Sequence, residues 1–286
     1  MKSWDRCVIV GTGLIGASLA GAAKACGAFG HVVGAGRSKA NLDIALSRGL
    51  IDEARTDLFP SLAGADLVVV ATPVFTAVSQ LHELAEHAPK TAVFTDVGSV
   101  KGPIVIEAGR RGLVDRFLGA HPLAGKAETG AGSADPAIFR GRRCVLTPAK
   151  DTPASLVDDM RELWSAVGCE VSVMDADAHD SAIATSSHLP QMVAFALAAT
   201  ADGAKRRQDV VDLIAGGFRD TTRLAASDAA MWIDIARLNR EAIVDAMDEF
   251  SACWDDLRDA IADRDEGVIR TIIAASHKLR RGIVSS

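Results

Sequence analysis

Between Arg6 and Ala25 the sequence passes without interruption from a strand through a glycine turn into a helix, and few folds accommodate that passage. Arg6-Cys7-Val8-Ile9-Val10 is a short apolar, β-branched run suited to a fully buried strand. Gly11-Thr12-Gly13-Leu14-Ile15-Gly16 follows at once, and Ala17 to Ala25 is rich in alanine, as a helix would be. In that setting each glycine has a use. Gly11 allows the tight turn, Gly13 lets the backbone approach a pyrophosphate on the helix N-terminus, and Gly16 lets helix and strand pack closely. The six residues Gly11 to Gly16 therefore predict a dinucleotide site. A glycine turn that binds nothing is the alternative, and the position between strand and helix speaks against it.

The length of 286 residues allows one large domain or two of moderate size, and 49% hydrophobic with 24% charged residues is an ordinary globular composition. The net charge of -6, without any basic block or stripe, argues against nucleic acid or an anionic membrane as partner. An anionic substrate would need local Arg or Lys. The five cysteines are scattered and mostly apolar in context, so free thiols in a reducing cytoplasm are expected rather than disulfides or metal ligands. The chain starts directly on a strand, without an apolar leader or an 18-residue apolar run, which adds to the expectation of a cytoplasmic protein without a membrane span.

After the first helix, His31 to Ala35 reads as a second strand. About 20 residues past the glycines an Asp or Glu would hold the ribose of NAD. Gly36 stands there, followed by Arg37, Ser38 and Lys39, so the acid that would repel a 2′-phosphate is missing and cations are on hand. This pattern favours NADP, with NAD still open; Arg37 and Lys39 can also be read as the start of a solvated helix. Asp66 to Ala71 is the next strand, ending in Thr72-Pro73 before a helix over 74–87, which places Thr72 and Pro73 at the cofactor side. Thr91 to Thr95 reads as a strand ending in the loop Asp96-Val-Gly-Ser99-Val-Lys101, and Phe117 to Ala120 as one ending in His121-Pro-Leu-Ala-Gly125. Further strands at 143–146 and 170–174 flank a helix at 153–167. Such alternation predicts an α/β Rossmann-type, doubly wound, mostly parallel sheet over residues 1–175.

From Asp175 onward no β-branched run recurs, and residues 176–286 read as an all-α domain. A long helix over 178–204, bent at Pro190, would carry Ser187, His188 and Gln191. Gly216 to Arg223, with Asp220, reads as a polar glycine-led loop. Beyond Asn239, Ile243, Met247, Phe250, Trp254, Leu257 and Ile261 alternate spacings of four and three, an a/d stripe that is either internal core or, as preferred, the seam of a homodimer.

A nicotinamide site needs a group to take the hydroxyl proton when hydride moves, and histidine suits that near neutrality. His31, His82, His87 and His277 read as surface or packing residues. His121 differs by standing at a strand C-terminus on the cofactor side, and His188 is open between structural bonding and site contact.

The motifs Gly11 to Gly16, Thr95-Asp-Val-Gly-Ser-Val-Lys101, His121-Pro-Leu-Ala-Gly125, Ser187-His-Leu-Pro190 and Gly217-Phe-Arg-Asp-Thr-Thr-Arg223, with Trp232 downstream, resemble the prephenate and arogenate dehydrogenases of tyrosine biosynthesis across nearly the whole chain. The resemblance implies a cyclohexadienyl carboxylate substrate, hydride transfer from its hydroxyl-bearing carbon, and loss of carbon dioxide to give a phenol. It also implies that His121 is the base on the ring hydroxyl, that Ser99 positions His121 and substrate, and that Arg223 pairs with the ring carboxylate. A planar guanidinium fork suits that last role. His188, Ser187, Asp220 and Trp232 fall with the substrate. Many family members carry His where this chain has Gln191; a neutral amide lacks the charge for a keto acid yet can accept from an ammonium, so the chain leans toward arogenate. The end of the chain soon after the helical half leads to the expectation of no added regulatory domain or fused chorismate mutase. Two other readings are a β-hydroxy acid dehydrogenase, which would use a helix lysine, and a silent NADP-binding module, which would have lost the acid/base group.

Overall fold

The computed structural model describes residues 2–126 and 128–284. The first strand, β1 (Trp4–Val10), starts two residues before the apolar run suggested and leads through the glycine turn into α1 (Leu14–Ala25). Alternation then continues through β2 (Phe29–Ala35), α2 (Lys39–Ser47), β3 (Glu53–Arg55), α3 (Leu58–Ser61), β4 (Leu67–Val70), α4 (Val74–His87), β5 (Val93–Asp96), α5 (Gly102–Arg110), β6 (Phe117–Pro122), β7 (Arg143–Thr147), α6 (Ala154–Ala166) and β8 (Glu170–Val173). The eight strands form one sheet in the order β3-β2-β1-β4-β5-β6-β7-β8. All neighbours are parallel except β6 and β7.

The central strands read as uninterrupted apolar runs because both sheet faces are covered. Cys7, Ile9, Leu67 and Val69 enter one core with α1 and the buried Trp164 of α6, whereas Val8, Val10, Val68 and Val70 enter another under α4 and α5. The chain reverses its direction of travel across the sheet between β1 and β4, and a crevice opens at such a reversal outside the strand C-termini. Sequence periodicity left out β3, α3 and α5, and gave α2 only as the alternative reading of Arg37 and Lys39, the helix that Lys39 does begin. β3 and α3 are short, and α5 opens with Gly102-Pro103, residues that resemble a loop until Pro is recognised at the start of a helix.

The remaining elements are helical. α7 (Ala176–Ile183), a π-helical turn (Ala184–His188) and α8 (Leu189–Asp202) run on from one another. The expected disturbance at Pro190 is this widened turn, because proline offers no N–H to the carbonyl four residues back and its ring crowds that carbonyl. α9 (Arg207–Asp212), α10 (Gly216–Thr222), α11 (Ala229–Leu238), α12 (Arg240–Asp263) and α13 (Glu266–Val284) complete the chain. The stretch expected as a polar loop over 216–223 is α10 followed by a 3-10 turn at Arg223–Ala226. Leu213 to Ala215 separate it from α9, and the glycine pair Gly216-Gly217 already forms its first turn. Thr221 and Thr222 turn their hydroxyls back onto the carbonyls of Gly217 and Phe218, at 2.8 and 2.7 Å, and so satisfy themselves within a helix.

A third core, made of Val74, Val100, Ala184, Ile235, Ile243 and Ala246, joins the strand-end side of the sheet to the helical region. Of the a/d stripe only Ile243 lies in it. Met247, Phe250, Trp254 and Ile261 are exposed, Trp254 by 59%, so most of the stripe has no cover within one chain. No helix among the described residues is long and apolar enough to cross a membrane.

The packing of α1 on the sheet depends on Gly16, where a Cβ would stand 2.9 Å from the Ala71 Cβ and 3.1 Å from Ile9 Cγ2. Ile9 is buried in β1, Ala71 follows directly on β4, and the nearest atom of all, the Gly11 carbonyl oxygen at 2.1 Å, is backbone that cannot swing aside. Gly16→Val is expected to destabilise the fold by about 1–3 kcal/mol, as overpacking does. Urea unfolding checks this, and an unchanged midpoint would show that the helix has room to move.

Candidate active site

The crevice begins at the glycine turn. Gly11 has φ +101° and donates to the Ala35 carbonyl at 2.8 Å; a Cβ there would lie 2.6 Å from the Ala71 carbonyl oxygen, so only glycine fits. Gly13 caps α1 with an extended backbone and no side-chain bond, a Cβ on it would meet nothing within 4 Å, and no acid occupies the first turn. Free helix N–H groups facing open space are what a pyrophosphate requires. Leu14 and Ile15 continue as the first turn of α1, Ile15 packing on the core. Thr12 is buried against Gly34, its Cγ2 only 2.8 Å from where a Cβ would be, closer than van der Waals contact allows. Across the crevice Pro73 caps α4, and the Thr72 hydroxyl is buried without a partner, a group left for a ligand to satisfy.

At the end of β2, Gly36 is followed by three residues in different situations. Ser38 caps α2, accepting from the Asn41 N–H at 3.3 Å, and Lys39 pairs with Asp43 at 2.9 Å. Arg37 is exposed and makes no ion pair among the described residues. The cation group expected from sequence thus reduces to one free guanidinium.

His121 stands on β6, half-buried, one residue before the strand ends. Its Nδ1 is 2.9 Å from Nε2 of His179, whose own Nδ1 is 2.7 Å from Oδ1 of Asp180. The amide of Asn239 extends this chain, donating to the Asp180 carbonyl at 2.9 Å and to His188 Nδ1 at 3.2 Å. His188 meets the Trp232 ring edge-on at 5.8 Å. Burial first, then the Lys101 ammonium, His179 and His188, holds His121 well below the ordinary histidine pKa. Burial likewise lowers His188 to about 4, against an opposing effect of Asp180. Both rings are therefore neutral at pH 7.

Under this cluster lies a buried ion pair. Lys101 Nζ donates to Asp96 Oδ2 and, at 3.0 Å, to the Ala120 carbonyl, while Asp96 also accepts from the Gly98 and Ala120 N–H groups at 2.8 and 3.3 Å. The loop so closed carries Ser99. The Ser99 hydroxyl makes no hydrogen bond among the described residues, and His121 Nδ1 is engaged by His179. Ser99 is thus open to a ligand; it makes no hydrogen bond to His121, whose Nδ1 meets His179 while no described residue bonds its Nε2.

The expected substrate residues of the helical half are less gathered. Ser187 and Asp220 are exposed, and neither joins the histidine cluster by a hydrogen bond. Gln191 is buried and donates to the Leu224 carbonyl at 2.6 Å, with its Oε1 3.5 Å from the Ser227 hydroxyl. It fastens the 3-10 turn that begins at Arg223. Arg223 itself is exposed and has no ion-pair partner among the described residues, a free fork for an incoming carboxylate.

His179, Asp180, Lys101, Asp96 and Asn239 were not singled out from sequence. For Lys101 and Asp96 the signal was present, since both bound the loop that carries Ser99. His179 and Asp180 sit in a polar segment, Asp-Ala-Asp-Ala-His-Asp, that reads as a solvated helix start.

Comparison with known proteins agrees with this geometry. Residues 19–173 match the family described as prephenate dehydrogenase, nucleotide-binding domain, and residues 175–274 match prephenate dehydrogenase, dimerization domain. A cyclohexadienyl dehydrogenase from Zymomonas mobilis is 32% identical over 98% of this chain and 96% of its own length. Among solved structures, prephenate dehydrogenase from A. aeolicus in complex with hydroxyphenyl propionate and NAD+ superposes with a TM-score of 0.89 at 30% identity, over 99% of this chain and 98% of that one. Arogenate dehydrogenase from Synechocystis gives 0.84 at 30% identity, covering 97% and 99%. The chain belongs to the prephenate dehydrogenase family.

Proposed function

We propose that His121 takes the ring hydroxyl proton, Arg223 holds the ring carboxylate, Ser99 meets the hydroxyl, and NADP is the preferred cofactor, in the reaction of this family. That reaction is the oxidative decarboxylation of a cyclohexadienyl carboxylate, prephenate, arogenate or both, by a nicotinamide-dependent dehydrogenase. The observation that carries the assignment is a neutral, desolvated histidine on the strand beside the crevice, with a hydroxyl and an unpaired arginine on flanking segments. A nicotinamide bound along Gly11 to Gly16 supplies the hydride acceptor. As hydride leaves the hydroxyl-bearing carbon, His121 draws on the hydroxyl proton and limits the positive charge on the ring; it returns the proton to the phenolic oxygen once carbon dioxide has left. Arg223 fixes the carboxylate that departs, and Ser187, His188, Asp220 and Trp232 border the same substrate.

Arg37 supports NADP because a free guanidinium at the end of β2 can bind a 2′-phosphate in a position without an acid. The neutral Gln191 supports acceptance of arogenate: it brings no positive charge to the side-chain end of the substrate and holds the segment bearing Arg223. The exposed apolar residues of α12 support a homodimer through the C-terminal helices, with residues 1–175 binding cofactor and 176–286 serving substrate and dimer. Buried free thiols support a reducing, cytoplasmic setting.

A two-by-two assay of reduced-cofactor absorbance, with prephenate or arogenate against NADP or NAD, is expected to show the highest kcat/KM with arogenate and NADP. Gln191→His is expected to shift the ratio toward prephenate, and an unchanged ratio would remove Gln191 from selectivity. His121→Asn should lower kcat by about 100-fold or more with cofactor affinity kept, as for loss of a general base. Neutral His121 is the working form and its pKa is depressed, so kcat/KM should hold as pH falls through about 6.5 and decline only below it. An acid limb above that pH would contradict the buried neutral base.

A further inference from the structure

The chain of hydrogen bonds behind His121 decides which of its nitrogens carries the proton. Asp180 Oδ1 accepts from the Lys101 N–H at 2.8 Å, and Oδ2 from the Gly102 N–H at 2.7 Å. These are free N–H groups at the start of α5, where negative charge is favoured. Gly102 permits the approach, since a Cβ there would stand 3.1 Å from Oδ2. An ionised carboxylate only accepts, so His179 Nδ1, 2.7 Å from Oδ1, must carry its proton. If that is the ring's one proton, the other nitrogen, Nε2, offers a lone pair. His121 Nδ1, 2.9 Å away, must be the donor, and His121 Nε2 is left unprotonated.

We propose that His179 and Asp180 are positioning residues that hold His121 in the tautomer with a free Nε2 and stabilise the imidazolium formed when it takes the substrate proton. The proposal rests on His121 being the base. The two rings meet edge-on, at 75° and 5.1 Å between centroids, so the contact is directional rather than a stack. His179 is almost fully buried and Asp180 nearly so, and neither is spent on solvent. Asn239 holds the Asp180 carbonyl and fixes the backbone that aims the pair. His188 receives the opposite assignment. Its Nδ1 accepts from Asn239, so its proton is on Nε2, and the two site histidines differ as acceptor and donor.

The charged and titratable groups facing His121 are Lys101 with its partner Asp96 from the β5–α5 loop, His179 and Asp180 from α7, and His188 from the π turn; β7 opposes it with the apolar Val145. Asp180 is thus the anion within reach through His179. Removing its charge should make the His121 imidazolium harder to form and move the acid limb of kcat/KM to lower pH.

The experiment is a double-mutant cycle on the full chain. His179→Leu should lower kcat by about 10–100-fold with KM for substrate and cofactor within about 3-fold, and His179→Gln, which keeps an acceptor oxygen, should recover at least part of that loss. In a His121→Asn background His179→Leu should cost under about 2-fold, because it acts only through His121. Asp180→Asn should lower kcat and shift the acid limb downward. Multiplicative losses in the double variant, or an acid limb that stays in place in Asp180→Asn, would overturn the proposal, and cofactor affinity in each variant reports that the fold is intact. A near-normal kcat in His121→Asn alone would instead overturn the base assignment. Should His179→Leu fail to fold, His179→Gln carries the same cycle.

Discussion

The buried pair between Lys101 and Asp96 is the contact on which the geometry of the site hangs. Both side chains are fully withdrawn from water, at a desolvation cost of several kcal/mol per ion. The cost is offset because neither group is left short of partners. Asp96 takes the ammonium and two backbone N–H groups, and Lys101 reaches the Ala120 carbonyl as well. One residue thereby ties the end of β5 to the end of β6 immediately before His121. Its own backbone N–H and that of Gly102 then anchor Asp180 on α7. The sheet, the Ser99 loop and the helical region are brought to one place by a single lysine.

Charge is managed around that lysine by keeping the nearby rings neutral. Desolvation disfavours the imidazolium at both His121 and His188, and the Lys101 ammonium adds to the effect at His121. A neutral histidine beside a crevice is ready to accept a proton, whereas one protonated at rest would have nothing to accept. Positive charge stands elsewhere, on two guanidiniums that have no ion-pair partner among the described residues. Arg37 stands at the dinucleotide side and Arg223 on the turn fastened by Gln191. In a chain of net charge -6, these local cations and the free N–H groups of α1 are what a phosphate or carboxylate would meet.

The helical half divides its apolar surface between two tasks. Ile235, Ile243 and Ala246 face inward and close on Val74 and Val100, which belong to the strand-end side of the sheet. Further along α12, Met247, Phe250, Trp254 and Ile261 turn outward and remain exposed. A heptad stripe can serve one contact at its start and another along its length, because a helix that leaves the core continues to present the same face beyond it.

Much of this architecture was legible in the order of residues alone. Local patterns determined the β-branched strands, the glycine turn whose φ and close approaches exclude a side chain, and the histidine set at a strand end, because each depends on neighbours a few positions away. The stretch over 216–223 was misjudged for the same reason: its glycines are a local sign of a loop, but the residues after them satisfy their own hydroxyls in a helix. Tertiary structure alone decided that Lys101 is buried and that Gln191 holds the Arg223 turn. It also brought His179 behind His121, across 58 positions, and Asp180 to the start of α5, across 79. Those contacts join elements separated by whole folding units. The tautomer proposed for His121 follows from where a distant carboxylate comes to rest, which no pattern of nearby residues encodes.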